Sequence, residues 1–243
     1  MAEAGQIEER YGRQLRRFPV AVAAGAMAGA WARQDNAPAG ATVVVDHEIS
    51  ALGRLGETWT APMAESLCMA MILRPPVPPE DADVAWLVGG LGAMTGAEAV
   101  SEAKLAAWWP DRVVDADTGD TRVSVKAEVQ LGAAQVRSAV IVLRFDLAAL
   151  GLAAERREEL LESVVGAVDA AAARLSEGPQ VTAEAYGSRC ALVDRRVKLR
   201  LMPKGETRGT VRGVDRGGRL ELTSGTGMTE RISVDMLREL QLA

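Results

Sequence analysis

The sequence has few of the residues that build metal centres and disulfide frameworks. Its 243 residues include two cysteines, Cys68 and Cys190, and one histidine, His47. The cysteines lie far apart and match neither a zinc-ligand spacing nor a disulfide pattern, which fits a reducing compartment. We therefore expect no metal-binding residues and a cytoplasmic location.

An excess of positive charge is also lacking. The chain has 28 lysines and arginines against 33 aspartates and glutamates, for a net charge of −5. The basic residues are scattered and form no stripe that could follow a phosphate backbone. Nucleic acid is not an expected partner.

A hydrophobic run of membrane-spanning length is missing as well. Val20 to Ala32 is alanine-rich, but it is shorter than the roughly 20 residues that a spanning helix needs, and a polar run follows it. This segment predicts a buried helix, so no membrane partner is expected. The charged residues 1–17 predict an exposed N-terminal arm or a frayed helix.

The pattern of apolar residues predicts alternating helices and strands. A strand is expected at Ala41–Val45 and a second apolar run at Leu67–Leu73. Apolar and polar residues alternate along Arg122–Leu131, and Ala139–Phe145 follows as the partner of an antiparallel hairpin. Helices are expected at Glu80–Ala103 and Arg156–Leu175. Glycines 89, 90, 92 and 96 of the first helix could let another element approach closely.

The last fifty residues change character. Four short strands are predicted, with a tight turn at Asp215–Gly218 between the second and the third. The strands are Val197–Leu201, Gly209–Val214, Arg219–Thr223 and Glu230–Val234. The expected fold class is α+β, with a mixed, largely antiparallel sheet, flanking helices and a small C-terminal β-barrel.

Three segments carry a resemblance to a known family. The segment Glu48–Pro62 contains GRLGETW from Gly53 to Trp59, residues 108–111 read WWPD, and residues 193–237 are rich in short strands. In this order and spacing they resemble the ligand loop, the Lys-Trp-Pro-Asn-Asp segment and the SH3-like C-terminal domain of the biotin/lipoate protein ligase family. The agreement runs from about Phe18 to Leu240. It implies an arm at 1–17, a catalytic-type domain at 18–192 and an SH3-like domain at 193–243, without the DNA-binding N-terminal domain of some members.

The resemblance also implies a reaction. Family members use ATP, with Mg²⁺, to adenylate the carboxylate of biotin or lipoate, and a lysine of a biotinyl or lipoyl carrier domain then attacks the mixed anhydride. Such a reaction needs a glycine-rich, cationic loop around the phosphates and a lysine near the reacting carboxylate. Relatives also make a homodimer through sheet edges conceivable.

Carried over residue by residue, the resemblance assigns a candidate site. Lys126 and Arg54 are the catalytic candidates. The substrate-binding candidates are Gly53, Arg54, Gly56, Trp59, Trp109, Asp111 and Arg112. The chain departs from the family at several points: Glu57 stands where the family has an arginine, Trp108 replaces a lysine, and no Lys-Leu-Ala-Gly-Ile-Leu run exists. Lys126 is the nearest substitute for the lysine of that run.

Two other groups have alternative interpretations. Cys68 could be an acyl-transfer thiol, as in octanoyl transferases of the same superfamily, but an apolar run favours an inert buried thiol. Asp111, Asp115, Asp117 and Asp120 could hold a hydrated Mg²⁺ or form an exposed loop, which is the simpler interpretation.

Two functions therefore stay open. The first is a ligase that adenylates a biotin- or lipoate-like acid and transfers it to a carrier lysine. The second is a catalytically impaired relative that binds a small acid, a nucleotide or a carrier domain. The depleted charge of the loop motivates the second hypothesis.

Overall fold

An eight-stranded sheet forms the centre of the computed structural model, which describes residues 5–59 and 65–243. Its strands are β1 (Ile7–Arg10), β2 (Arg13–Ala21), β3 (Thr42–Glu48), β4 (Ser66–Leu73), β5 (Leu105–Trp108), β6 (Arg112–Asp115), β7 (Thr121–Leu131) and β8 (Val136–Asp146). Their order is β1-β2-β3-β4-β8-β7-β6-β5, and every neighbouring pair is antiparallel except β2 and β3. The mixed, largely antiparallel sheet was predicted.

Helices cover both faces of this sheet. Helix α1 (Ala24–Gln34) packs on β3, β4 and β8, where Trp31 joins a smaller apolar cluster with Val45 and Val142. Helices α2 (Val84–Glu98) and α3 (Arg157–Ala173) pack together on the opposite face and close the larger core. Among the residues that the structure describes, no helix combines the length and apolar character needed to cross a membrane.

Two glycines set the distance between α2 and α3. A Cβ atom built on Gly92 would lie 2.4 Å from Val168 Cγ2, and one on Gly96 would lie 2.6 Å from Val164 Cα. Neither distance leaves room for a methyl group. The expected close approach of another element to these glycines is confirmed at both positions.

A five-stranded antiparallel sheet follows a short helix, α4 (Pro179–Gly187). Its strands are β9 (Arg196–Leu201), β10 (Glu206–Val214), β11 (Leu220–Thr223), β12 (Thr229–Ile232) and β13 (Leu237–Leu242), in the order β12-β11-β10-β9-β13. The Asp215 carboxylate closes the turn between β10 and β11 by accepting the N–H groups of Gly217 and Arg219, both at 2.9 Å. This C-terminal sheet is the small barrel-like unit that was expected, with a fifth strand, β13, that was not.

The N-terminal residues differ from the prediction of an arm or a frayed helix. Residues 7–21 form a β-hairpin, and β2 lies parallel to β3 inside the sheet. The charged side chains are not simply solvated, since Arg17 pairs with Glu158 at 2.5 Å and Arg13 with Asp169 at 2.6 Å. Carboxylates on α3 therefore hold a segment whose charge pattern suggested an exposed arm.

Helix boundaries also needed correction. The alanine-rich helix begins at Ala24 because Val20 and Ala21 still belong to β2, and the helix expected at Glu80–Ala103 is confined to Val84–Glu98. Proline 179, which follows the helix expected at Arg156–Leu175, begins α4. Proline at the first helical position costs no hydrogen bond, so it starts helices as readily as it ends them.

Candidate functional site

The loop after β3 is a compact turn. Leu52 and Thr58 form an isolated bridge, and Gly53 N–H donates to the Glu57 carbonyl at 2.7 Å. Leu55 and Gly56 have φ of 57° and 79°, in the left-handed region that glycine tolerates and leucine does not favour. Trp59 is half-buried, and its backbone N–H donates to the Ala51 carbonyl. Residues 60–62 of the resembling segment lie outside the described residues.

Arg54 connects this loop to two other parts of the molecule. Its Nε donates to Asp111 Oδ2 at 2.7 Å, and its Nη1 donates to the Leu237 carbonyl at 2.6 Å. Asp111 belongs to the β5–β6 turn and Leu237 begins β13. The two charged side chains are only 11% and 12% exposed, so solvent screens their attraction weakly.

A small cavity of about 130 Å³ lies beside this ion pair. The residues that line it are Arg54, Glu57, Trp109, Pro110, Asp111, Arg112, Leu237, Arg238, Glu239 and Leu240. Three arginines and three carboxylates among them make the lining formally neutral. Arg112 stands over the Trp108 ring and its Nε is 3.7 Å from Asp111 Oδ1. The structure thus brings together five substrate-binding candidates at or beside one cavity: Gly53, Arg54, Trp109, Asp111 and Arg112.

Arg54 also borders a larger cleft of about 630 Å³ between the main sheet and the C-terminal sheet. Trp86, Val129 and Leu131 form part of an apolar wall, and Arg231 stands on the side of the C-terminal sheet. A volume of this size falls within the roughly 300–1,000 Å³ of small-molecule sites. The cleft can hold the body of a ligand whose anionic group reaches Arg54.

Trp109 is the most deeply buried of the candidates. Its side chain is fully buried, and its indole N–H donates to the Gly218 carbonyl at 2.9 Å. This bond joins the β5–β6 turn to the β10–β11 turn. The geometry indicates that Trp109 attaches the C-terminal sheet, and it favours this role over direct contact with a ligand.

Lys126 lies at a distance from the small cavity. A Cβ atom built on Gly53 would lie 3.8 Å from Ser124 Oγ, so the loop passes beside Ser124 on β7. Lys126 is two residues further along the same face, a displacement of about 7 Å. Its Nζ is 2.7 Å from Glu128 Oε1. The structure places Lys126 near the loop but already paired with a carboxylate.

One charged pair near the site was not foreseen. Arg144 on β8 bonds through Nε to Glu48 Oε2 at 2.5 Å, and both side chains are buried. Glu48 also accepts the backbone N–H of Ala24 at the start of α1, at 2.6 Å. The signal in the sequence was a single arginine within the apolar run AVIVLRF and a glutamate at the end of an apolar strand.

Cys68 lies opposite Arg144 on the neighbouring strand β4. Burial, and next the negative charge of Glu48, raise the pKa of its thiol to about 12. A thiolate is therefore scarce at neutral pH, which supports the inert interpretation.

Of the four candidate aspartates, Asp111 lies in the β5–β6 turn, Asp115 ends β6, and Asp117 and Asp120 lie in the β6–β7 turn. Asp115 Oδ1 accepts the backbone N–H groups of Asp117 and Thr118, and these bonds, with Arg122, lower the pKa of Asp115. Within residues 5–59 and 65–243, no group of three or more histidine, cysteine or acidic side chains is placed to bind a metal ion.

Solved structures of known proteins share this fold. The chain has 17% identity and a TM-score of 0.73 with the biotin protein ligase from Aquifex aeolicus in complex with biotin and ATP, covering 94% of this chain and 99% of that one. With a biotin protein ligase-like protein of unknown function from a Silicibacter species it has 19% identity and a TM-score of 0.69, covering 91% and 94%.

Similarity in sequence is more limited. The chain is 28% identical to the bifunctional ligase/repressor BirA of Bacillus spizizenii over 107 residues, which is 44% of this chain. That match spans about a third of the relative's length, 32%. No protein-family model matches the chain.

The fold is that of the biotin protein ligases. In its fold the chain is biotin protein ligase-like, as its motifs indicated.

Proposed function

We propose that this chain is a ligase of the biotin protein ligase type. It would use ATP to adenylate a biotin- or lipoate-like acid and pass the acyl group to a lysine of a carrier domain. One observation carries the proposal: the fold is shared over 94% of the chain with an enzyme bound to biotin and ATP. In this chain, the loop and the turn that resemble the family's motifs meet at a cavity.

The chemistry has two steps. The acid's carboxylate oxygen attacks the α-phosphorus of ATP and expels pyrophosphate, and the carrier lysine then attacks the acyl carbon and expels AMP. Arg54 would neutralise negative charge on the phosphates, and Lys126 would stabilise charge at the reacting carboxylate. Mg²⁺ would enter bound to ATP as part of the substrate.

The remaining candidates have supporting roles in this proposal. Gly53 and Gly56 let the loop backbone turn tightly beside the ligand, and Trp59 would line its path. Arg112 and Asp111 would set the charge around the phosphates, and Trp109 would hold the C-terminal sheet in place. A homodimer through sheet edges stays a prediction.

A second candidate function has its own observation. Arg54 and Lys126 are each bonded to a carboxylate, Asp111 and Glu128, and Glu57 lines the same cavity as Arg54. Loss of one cation from a phosphoryl-transfer site can cost roughly 10³–10⁵ in rate. A chain with this geometry could bind an acid, a nucleotide or a carrier domain without turnover.

ATP–pyrophosphate exchange separates the two candidates. Biotin, lipoate and octanoate are offered separately to the full chain, to Lys126→Ala and to Lys198→Ala. Lys198 is a matched control on the C-terminal sheet, since it is paired with Glu206 at 3.0 Å and is 30% exposed, against 27% for Lys126. The ligase predicts exchange with one acid that only Lys126→Ala loses, whereas binding without exchange supports the second candidate.

A further inference from the structure

The guanidinium of Arg54 is hydrogen-bonded through two of its nitrogens in the free protein. Asp111 occupies its Nε and the Leu237 carbonyl occupies its Nη1, and both charged side chains are shielded from water. A carboxylate bonded to the guanidinium of an arginine stands where a carboxylate or phosphate of a ligand would bind. Asp111 is therefore placed as a rival to any anionic ligand of Arg54.

The charges around Asp111 support the same interpretation. Asp111 also faces Arg112, whose side chain is 44% exposed and stacked over Trp108. One carboxylate thus faces two of the three arginines that line the small cavity. Without the charge of Asp111, the formally neutral lining would carry a net positive charge.

The size of the cavity limits what can compete. At about 130 Å³ it is smaller than the roughly 300–1,000 Å³ of sites that hold whole small molecules. It suits a single phosphate or carboxylate group, while the adjoining cleft of about 630 Å³ suits the rest of the ligand.

We propose that Asp111 is an internal competitor that keeps Arg54 neutralised until the anionic group of a ligand takes its place. The inference rests on the proposed function, because it assigns a regulating residue to the same site. Binding is then an exchange of anions on Arg54, and Asp111 selects for ligands with enough negative charge to displace a shielded carboxylate.

The test measures binding of inorganic pyrophosphate to the full chain by titration calorimetry. The variants are Asp111→Asn, the double variant Asp111→Asn with Arg54→Gln, and Asp115→Asn. Asn keeps the shape of Asp111 and can still accept from Arg54. Asp115 is a matched control on the same hairpin, because it pairs with Arg122 and does not line the cavity.

Asp111→Asn is expected to bind pyrophosphate at least about tenfold more tightly than the unmodified chain. The double variant is expected to lose this gain, and Asp115→Asn to show none. Equal or weaker binding by Asp111→Asn, in a variant whose thermal unfolding shows that it is folded, would overturn the inference.

Exchange assays on the same samples separate this inference from the proposed function. If Asp111→Asn binds pyrophosphate more tightly but no acid supports exchange, the competitor role of Asp111 is supported and the ligase function is contradicted. If the unmodified chain catalyses exchange and Asp111→Asn shows no gain in pyrophosphate affinity, the ligase is supported and the competitor role of Asp111 is overturned.

Discussion

At the scale of single residues, the buried pair Glu48–Arg144 links three elements beside the site. It joins the end of β3 to β8, and Glu48 also caps the first N–H of α1. Arg144 Nη1 has no hydrogen-bond partner in the part of the chain that the structure describes. A charge held this deeply depends on its single counter-charge.

Removing that counter-charge should therefore destabilise the fold. We expect Glu48→Gln to lower the free energy of unfolding by about 3–5 kcal/mol, because it leaves the Arg144 charge uncompensated. Glu159→Gln is the control, since Glu159 pairs with Arg156 at the surface, and it should cost about 1 kcal/mol or less. Urea denaturation followed by circular dichroism measures both, and a Glu48→Gln variant as stable as the control would contradict this expectation.

The Cys68 thiol provides a pH test. With a pKa of about 12 in the folded chain, roughly one thiol in 10⁴ is ionised at pH 8, against about a quarter for an unperturbed cysteine. In a Cys190→Ser variant, labelling by a disulfide reagent should be at least about 10³-fold slower in the folded than in the unfolded chain. Its rate should rise with pH, and rapid labelling of the native chain at pH 8 would revive the acyl-transfer hypothesis.

Several of these residues could be singled out from the sequence, but the pairings between distant segments could not. Arg54 and Asp111 are 57 positions apart, and their contact depends on how a loop and a turn from different strands meet. Lys126 and Glu128 are two positions apart on one strand face, so their pairing follows from the alternation alone. Glu48–Arg144 needs the strand order β3-β4-β8, which no local pattern contains.

At the scale of elements, the packing of α2 against α3 depends on an absence of side chains. Gly92 and Gly96 lie against the backbone of Val168 and Val164, and both contacts are closer than a Cβ atom allows. Glycine weakens a helix by up to about 1 kcal/mol relative to alanine. The close contact offsets that loss.

The balance between helix propensity and close packing can be tested with two glycines, one in each helix. Gly92→Ala should destabilise the chain by about 1–3 kcal/mol, because overpacking outweighs the gain in helix propensity. Gly166→Ala is the control: it lies in α3 with nothing within 4 Å of an added Cβ, and it should be neutral or stabilising by up to about 1 kcal/mol. Thermal unfolding compares the stabilities of the two variants. A Gly92→Ala variant more stable than the unmodified chain would show that the two helices can move apart.

The elements with the clearest periodicity were predicted well. The β7–β8 hairpin has the expected antiparallel pairing, with Val123, Val125 and Ala127 in the core. The misassigned segment was the β1–β2 hairpin, because its arginines suggested solvent exposure and their acidic partners lie far along the chain on α3. Strand β13 was not predicted because its Arg238, Glu239 and Gln241 break the apolar pattern.

At the scale of the whole molecule, the C-terminal sheet is attached next to the candidate site. Trp109 donates to the Gly218 carbonyl, Arg54 donates to the Leu237 carbonyl, and Asp83 Oδ2 accepts Val234 N–H at 2.8 Å. Two of these bonds come from the candidate site residues themselves. The same contacts that position the C-terminal sheet also shape the cavity and the cleft.

The overall architecture was accessible from sequence because the resemblance spans nearly the whole chain in order and spacing. The chemistry was less accessible, since it depends on whether each cation is free or neutralised. Arg54, Lys126 and the other site candidates therefore stay predictions, to be tested on the protein.

The most direct measurement is detection of an acyl-adenylate on the protein. The full chain is incubated with ATP, Mg²⁺ and one acid at a time, and the bound products are identified by mass spectrometry after rapid quenching. The account predicts an acyl-AMP with biotin, lipoate or octanoate, together with release of pyrophosphate. Recovery of unchanged ATP and acid from folded protein that binds both would contradict the ligase and leave a protein that binds without reacting.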